Sequence, residues 1–327
     1  RRESAVKRRH FLLSGAAVAT AACDKAQQRP RSDPNPVAMP LVDGDTILTV
    51  RGGDDGQSVI TNPTIVVGGR AQQFIPGSAG EIRLVGLVGQ VAAISAPGHI
   101  APREVRIAPG QQDVGLWYLP PGIDVQYVRC LAYKDVVTEE NHPLSRVVEG
   151  SVVYLSLDAT LGVDAAVRTA FKSATEDASR MATPFGVSFA VTPEALPKDA
   201  IVFLATFEPE NDALANARAG TYRNSTSGGW IIGGRIAFPK LEYARTSEVV
   251  AHELGHVLGL MHSRNQNDLM HGSAPGKRFT EQEILVAKQM AKRLAGNAFT
   301  DADPGTSSFV ATQSLFGGRK EVLIIDK

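Results

Sequence analysis

Only two of the 327 residues are cysteine, Cys23 and Cys130. That excludes a fold held by a disulfide framework, and a chain of this length can bury enough apolar surface to do without one. Charge of one sign is missing as well, since 34 Lys and Arg balance 34 Asp and Glu. No basic surplus offers itself to phosphates, so no nucleic-acid partner is expected. Long apolar runs are also absent near the N-terminus. The uncharged stretch 11–22 has twelve residues, too few for a bilayer-spanning helix of about 20. No internal repeat is visible.

What the N-terminus does hold is an address. "VKRRHFLLSGAAVATAAC" has a basic start, a short apolar middle and small residues before Cys23. That layout predicts a signal peptide over residues 1–22. Arg8-Arg9 followed by Phe11-Leu12 resembles the twin-arginine export signal, with Lys7 and Leu13 departing from its usual flanks. "TAAC", residues 20–23, resembles a bacterial lipobox, with Thr20 where Leu is usual. The resemblance implies an extracytoplasmic lipoprotein that meets the membrane through lipid on Cys23. Plain secretion is the alternative. Beyond residue 22 there remain 29 basic and 33 acidic residues, a net of −4.

Four prolines, Pro30, Pro34, Pro36 and Pro40, make residues 23–40 a semi-extended tether. From Leu41 the texture becomes short β-branched runs such as "DTILTV", "TIVVGG" and "EIRLVGLV", broken by Gly, Pro and Asp. These predict a small all-β sandwich over 41–119, closed by the "LPPG" boundary at 119–122. Residues 123–300 read differently. Strands are expected at 151–157, in "VSFAV", in "AIVFLATF" and at 229–238. A helix is expected near 163–182, where apolar residues recur at spacings of three and four. Two more follow, one starting at Thr246 or Ser247 and one opened by a Thr280/Glu283 capping box. The order is strand, helix, three strands, helix, helix, an α+β domain. Cys130 lies in the strand-like "YVRCLAY" and is expected to be buried. Residues 301–327 read as a C-terminal tail, with a strand-like "EVLIID" to which no role attaches.

The chemistry concentrates in "HELGHVLGLMH", residues 252–262. Four residues turn a helix by about 400°, so His252 and His256 share a face and can grip one ion. Glu253 is rotated by about 100° and stands beside that ion, positioned to take a proton. Gly259 can end the helix in a left-handed conformation and return the chain. His262 then approaches from the other side. Three neutral imidazoles leave zinc one open position, as catalytic sites require.

His252, Glu253, His256, Gly259 and His262 match the metzincin zinc-peptidase signature at every fixed position. A chance match in a chain of this composition is on the order of one in 10^5. Met270, eight residues after His262, stands where that family has its methionine turn. Ser263 directly after the third histidine makes the segment look most like the matrixins. The resemblance implies a zincin-like α+β catalytic domain with one catalytic zinc ion held by the three histidines. It implies a zinc-bound water activated by Glu253, a supporting floor at Met270, and protein or peptide substrates. It also casts residues 232–238 as the edge strand on which a peptide is laid. No tyrosine follows Met270, no second zinc cluster precedes Trp230, and no cysteine switch is evident. Glu208, Glu210 and Asp212 could offer oxygens to calcium, but their spacing is that of no known calcium loop, so 208–230 reads as a solvated loop. His271, His99 and His142 are not expected to be ligands. The reading from another class is a surface adhesion or scaffolding lipoprotein with a vestigial metal site.

Overall fold

The computed structural model describes residues 44–325 except 54–56, 75–76, 78, 101, 135–140, 192–195, 198–199, 227, 274, 300, 305 and 307–319. The expected signal peptide and tether, with Cys23, lie outside the described residues.

Among the described residues of 45–115 the regular elements are all strands: β1 (Asp45–Gly52), β2 (Ser58–Val59), β3 (Thr64–Val67), β4 (Arg70–Ala71), β5 (Glu81–Val85), β6 (Val91–Ser95), β7 (Arg103–Arg106) and β8 (Gly110–Gly115). One sheet runs β2-β1-β5 with β8 parallel to β1, and the other runs β4-β3-β6-β7. The alternation in β5 and β6 turns Ile82, Leu84, Ala92 and Ile94 inward, where they meet Leu48, Val50, Ile65 and Val105. Thr46, Asp45 and Arg103 are buried in the same region, outside that apolar cluster.

Beyond it come α1 (Val125–Tyr133), β9 (Arg146–Val147), β10 (Val152–Leu157), α2 (Ala165–Ala182), β11 (Ser188–Val191) and β12 (Ile201–Phe207). Then follow β13 (Gly220–Ser225), β14 (Trp230–Phe238), α3 (Leu241–Ala244), α4 (Ser247–Val257), α5 (Glu281–Met290) and β15 (Lys320–Ile325). One sheet has the order β11-β10-β12-β14-β13-β15, with β9 also on β14. Strands β11, β10, β12 and β14 are parallel, while β13 and β15 run antiparallel to their neighbours. Helix α2 is capped by Asp164, whose carboxylate accepts from Val167 N at 2.9 Å. It buries Val167, Ala170, Phe171, Ala174, Ala178 and Met181 against the sheet and α4.

Several expectations need correction. The strand read as an edge, residues 232–238, is an interior strand, because β12 flanks β14 on one side and β13 on the other. The supposed loop 208–230 contains β13. Its alternating residues include buried Thr221 and Arg223, so hydrophobic patterning gave no strand signal. Cys130 is buried in a helix rather than a strand. Asp124 caps α1 by accepting from Tyr127 N at 2.7 Å, a local start signal that outweighs the β-branched content. The last segment is no separate tail. Asp301 and Asp303 are buried, and "EVLII" belongs to β15.

Those two aspartates fasten the all-strand region to the rest. Arg103 on β7 donates from Nη2 to both carboxylate oxygens of Asp303, at 3.1 and 2.9 Å. Arg293, past α5, donates to Asp301 at 3.1 and 2.8 Å and stacks 4.2 Å from the Trp117 ring centroid. Asn297 Nδ2 donates to both aspartates and Tyr133 OH donates to Asn297 Oδ1 at 2.6 Å. Ile100 and Trp117 pack into the larger core with the helices.

Candidate metal centre

Helix α4 brings His252 and His256 together as its periodicity requires, with ring centroids 4.7 Å apart. After Leu258 the chain turns at Gly259, whose φ is +108°. A Cβ there would also collide with the Ser145 carbonyl, so both conformation and space demand glycine. The return carries His262 to 4.7 Å from His256 and 5.4 Å from His252, centroid to centroid. One nitrogen from each histidine lies within 4.8 Å of the others. Among the described residues this is the one group of three or more His, Cys, Asp or Glu placed to hold a metal ion.

The rings are oriented for a cation. His252 Nδ1 lies 2.5 Å from Leu269 O and His256 Nδ1 lies 2.9 Å from Leu260 O. A carbonyl only accepts, so each Nδ1 carries its proton and each Nε2 presents a lone pair. Those two Nε2 atoms face each other at 3.0 Å. Two lone pairs that close repel unless a cation lies between them, so the donor set fits zinc.

Glu253 stands beside the histidines, and its Oε2 accepts from Thr221 Oγ1 on β13. Arg223, two residues along the same strand, donates from Nη1 to His256 O at 3.2 Å, placing a cation at the C-terminal end of α4. His252, Glu253, His256 and His262 are each 0% exposed.

Met270 packs beneath α4 against Gly255, where a Cβ would strike its sulfur. The turn that holds it is fixed from both sides. Ser263 N donates to Met270 O at 2.7 Å, and Met270 N donates to Glu283 Oε1 at 2.7 Å. Leu269 N donates to Glu283 Oε2 at 3.3 Å, while Leu269 O is the partner of His252 Nδ1. Glu283 thus orients a histidine through one residue of backbone. Burial pushes its pKa up to about 7, and N–H donation from Thr280 and Met270 keeps it from rising further. Asp268, also fully buried, accepts from Tyr127 OH at 2.7 Å, from Thr280 Oγ1 at 3.0 Å and from Ser263 Oγ. Burial and that aspartate push the Tyr127 hydroxyl far above its usual range.

Asp268, Tyr127, Thr221 and Arg223 were not anticipated. Asp268 sits in "NDLM" two residues before Met270, a visible signal; Glu283 was legible only as a capping residue. For Thr221 and Arg223 the sequence gives none. His271 is half-buried and bridges Ser263 by backbone. His99 packs against Tyr118 and is not in the histidine group. Glu208 is engaged elsewhere: it pairs with Arg235 at 3.2 Å and accepts from Thr206 and Asn211.

Residues 162–284, from just before α2 to the first turn of α5, match the matrixin family model. No curated protein matches the chain. The matrixin match implies zinc and metallopeptidase chemistry, in agreement with a histidine triad oriented for a cation. Over residues 162–284 this chain is a matrixin-like metzincin.

Proposed function

We propose that the protein is a zinc-dependent endopeptidase acting on proteins or peptides outside the cytoplasm. The observation that carries the chemistry is the pair of Nε2 lone pairs at 3.0 Å, with both Nδ1 protons engaged by carbonyls. His252, His256 and His262 hold the ion. When bound, zinc supplies a Lewis acid that polarises the scissile carbonyl and acidifies water towards a pKa of ~7. Glu253 takes the proton of the attacking water on its carboxylate and passes it to the leaving amine. Thr221 fixes the orientation of that carboxylate through Oε2. Met270 floors the site, and Gly259 makes the turn that delivers His262.

The address supports the location. The twin-arginine-like and lipobox-like motifs argue for export and for lipidation at Cys23. Among the described residues no helix is long and apolar enough to cross a membrane.

The test combines metal analysis with digestion of a peptide library. The expected result is one zinc per chain, cleavage abolished by chelator and restored by zinc. Glu253→Ala should keep the zinc while losing cleavage by about 10^2–10^4-fold, the range of general-base contributions. Full activity in that variant would sink the mechanism.

A further inference from the structure

Each group of the metal centre is 0% exposed, so a peptide reaches it only after some part of the protein moves. The element that closes the sheet beside the centre is β15. It pairs antiparallel with β13 over six residues, from Gly220↔Ile325 to Ser225↔Lys320. Without β15, β13 would end the sheet and present a row of unpaired N–H and C=O groups. Such an edge is a template to which an extended peptide adds as a strand.

β13 is also the strand that touches the chemistry. Thr221 donates to Glu253 Oε2 and Arg223 donates to His256 O. In antiparallel pairs, directly opposed residues lie on the same face. Ile324, opposite Thr221, is therefore on the face that carries Glu253's partner, and it is 0% exposed. Leu323, opposite Tyr222, is on the other face and packs with Leu214, Ala217 and Ala237. Backbone pairing with alternate side chains in separate environments is how a docked peptide strand is held.

We propose that Lys320–Ile325 is an internal competitor, occupying the β13 edge where an extended peptide substrate would pair, so that cleavage requires its displacement. This rests on the peptidase reading and adds its regulation. The segment follows the triad, Gly259 and the methionine turn in the chain, so its release would leave them in place.

The test compares the zinc-loaded full chain with a zinc-loaded chain ending at residue 319, on one unstructured protein substrate. If the open form is a minor state of ~1–10%, truncation raises kcat/KM about 10–100-fold. A synthetic peptide of residues 320–327 should bind the truncated chain by fluorescence anisotropy and inhibit it competitively, and a scrambled peptide should do neither. Ile324→Glu in the full chain keeps every other residue and should raise the rate in the same direction, which covers a truncated protein that does not fold. Equal rates for the full chain, the folded truncation and Ile324→Glu overturn the inference and leave the peptidase reading standing. No cleavage by any form, with the peptide bound to the truncated chain, removes the peptidase reading and supports the strand site alone.

Discussion

Residues 45–115 and the region around α4 bury their interiors in opposite ways. The first closes two sheets mainly over apolar side chains such as Leu48, Ile65, Ile82, Leu84 and Ile94. The second buries His252, Glu253, His256, His262, Asp268 and Glu283, all at 0% exposure. An apolar core asks only for volume and tolerates small changes of shape. A buried polar network must be satisfied group by group, and each partner fixes an angle as well as an energy. The first region can therefore vary without touching the chemistry, whereas the second gains geometry from the same bonds that make it costly to alter.

The seam between the regions is where the contrast breaks most sharply. Asp301→Ala removes the carboxylate partner of Arg293, leaving that buried guanidinium uncompensated, while Arg103 keeps Asp303. A loss of about 3–5 kcal/mol is expected in chemical denaturation, with both regions affected. A loss below about 1 kcal/mol would show that the Asp301 carboxylate adds little to what Asp303 and apolar contact already hold.

Glu283 gives the next largest effect. Its pKa in the folded protein is raised from the ordinary 4.5 to about 7, so the folded state binds the proton more tightly than the unfolded chain. The stabilisation is full below pH 4.5 and disappears as pH rises through 7. It amounts to roughly 3 kcal/mol at most, at 1.36 kcal/mol per unit. Urea titrations at pH 4.5 and 7.5 should show this fall, and Glu283→Gln should remove that part of the slope. An unchanged slope in the variant would contradict the assignment.

The smallest effect belongs to the apolar region. Ile82→Val should cost about 0.5–1.5 kcal/mol. Cleavage per folded molecule should stay the same. A changed kcat would mean that residues 45–115 reach the active site after all.

The two regions also differed in legibility. The capping box at Thr280 and Glu283 is a four-residue pattern, and both of its bonds form. The stripe from Val167 to Met181 is local in the same sense. The face shared by His252 and His256 follows from helix geometry alone, and the positive φ at Gly259 is a property of one residue. What failed was strand order. β14 has the apolar, β-branched look of a strand, but nothing within it says whether one neighbour or two will flank it. β13 is polar because its buried Thr221 and Arg223 bond to α4 rather than fill a core, so it looked like a loop. Cys130 went astray for a related reason, since Asp124 outside the run decided its helix.

The sequence alone determined the histidine cluster, the glutamate beside it and the helix that spaces them, because those depend on residues within one or two turns of each other. Tertiary structure decided which carboxylate orients the methionine turn, which strand flanks Glu253, and that the C-terminal β15 covers that strand. Those outcomes depend on pairings between distant segments, where many partners are chemically acceptable and only the packed whole selects one.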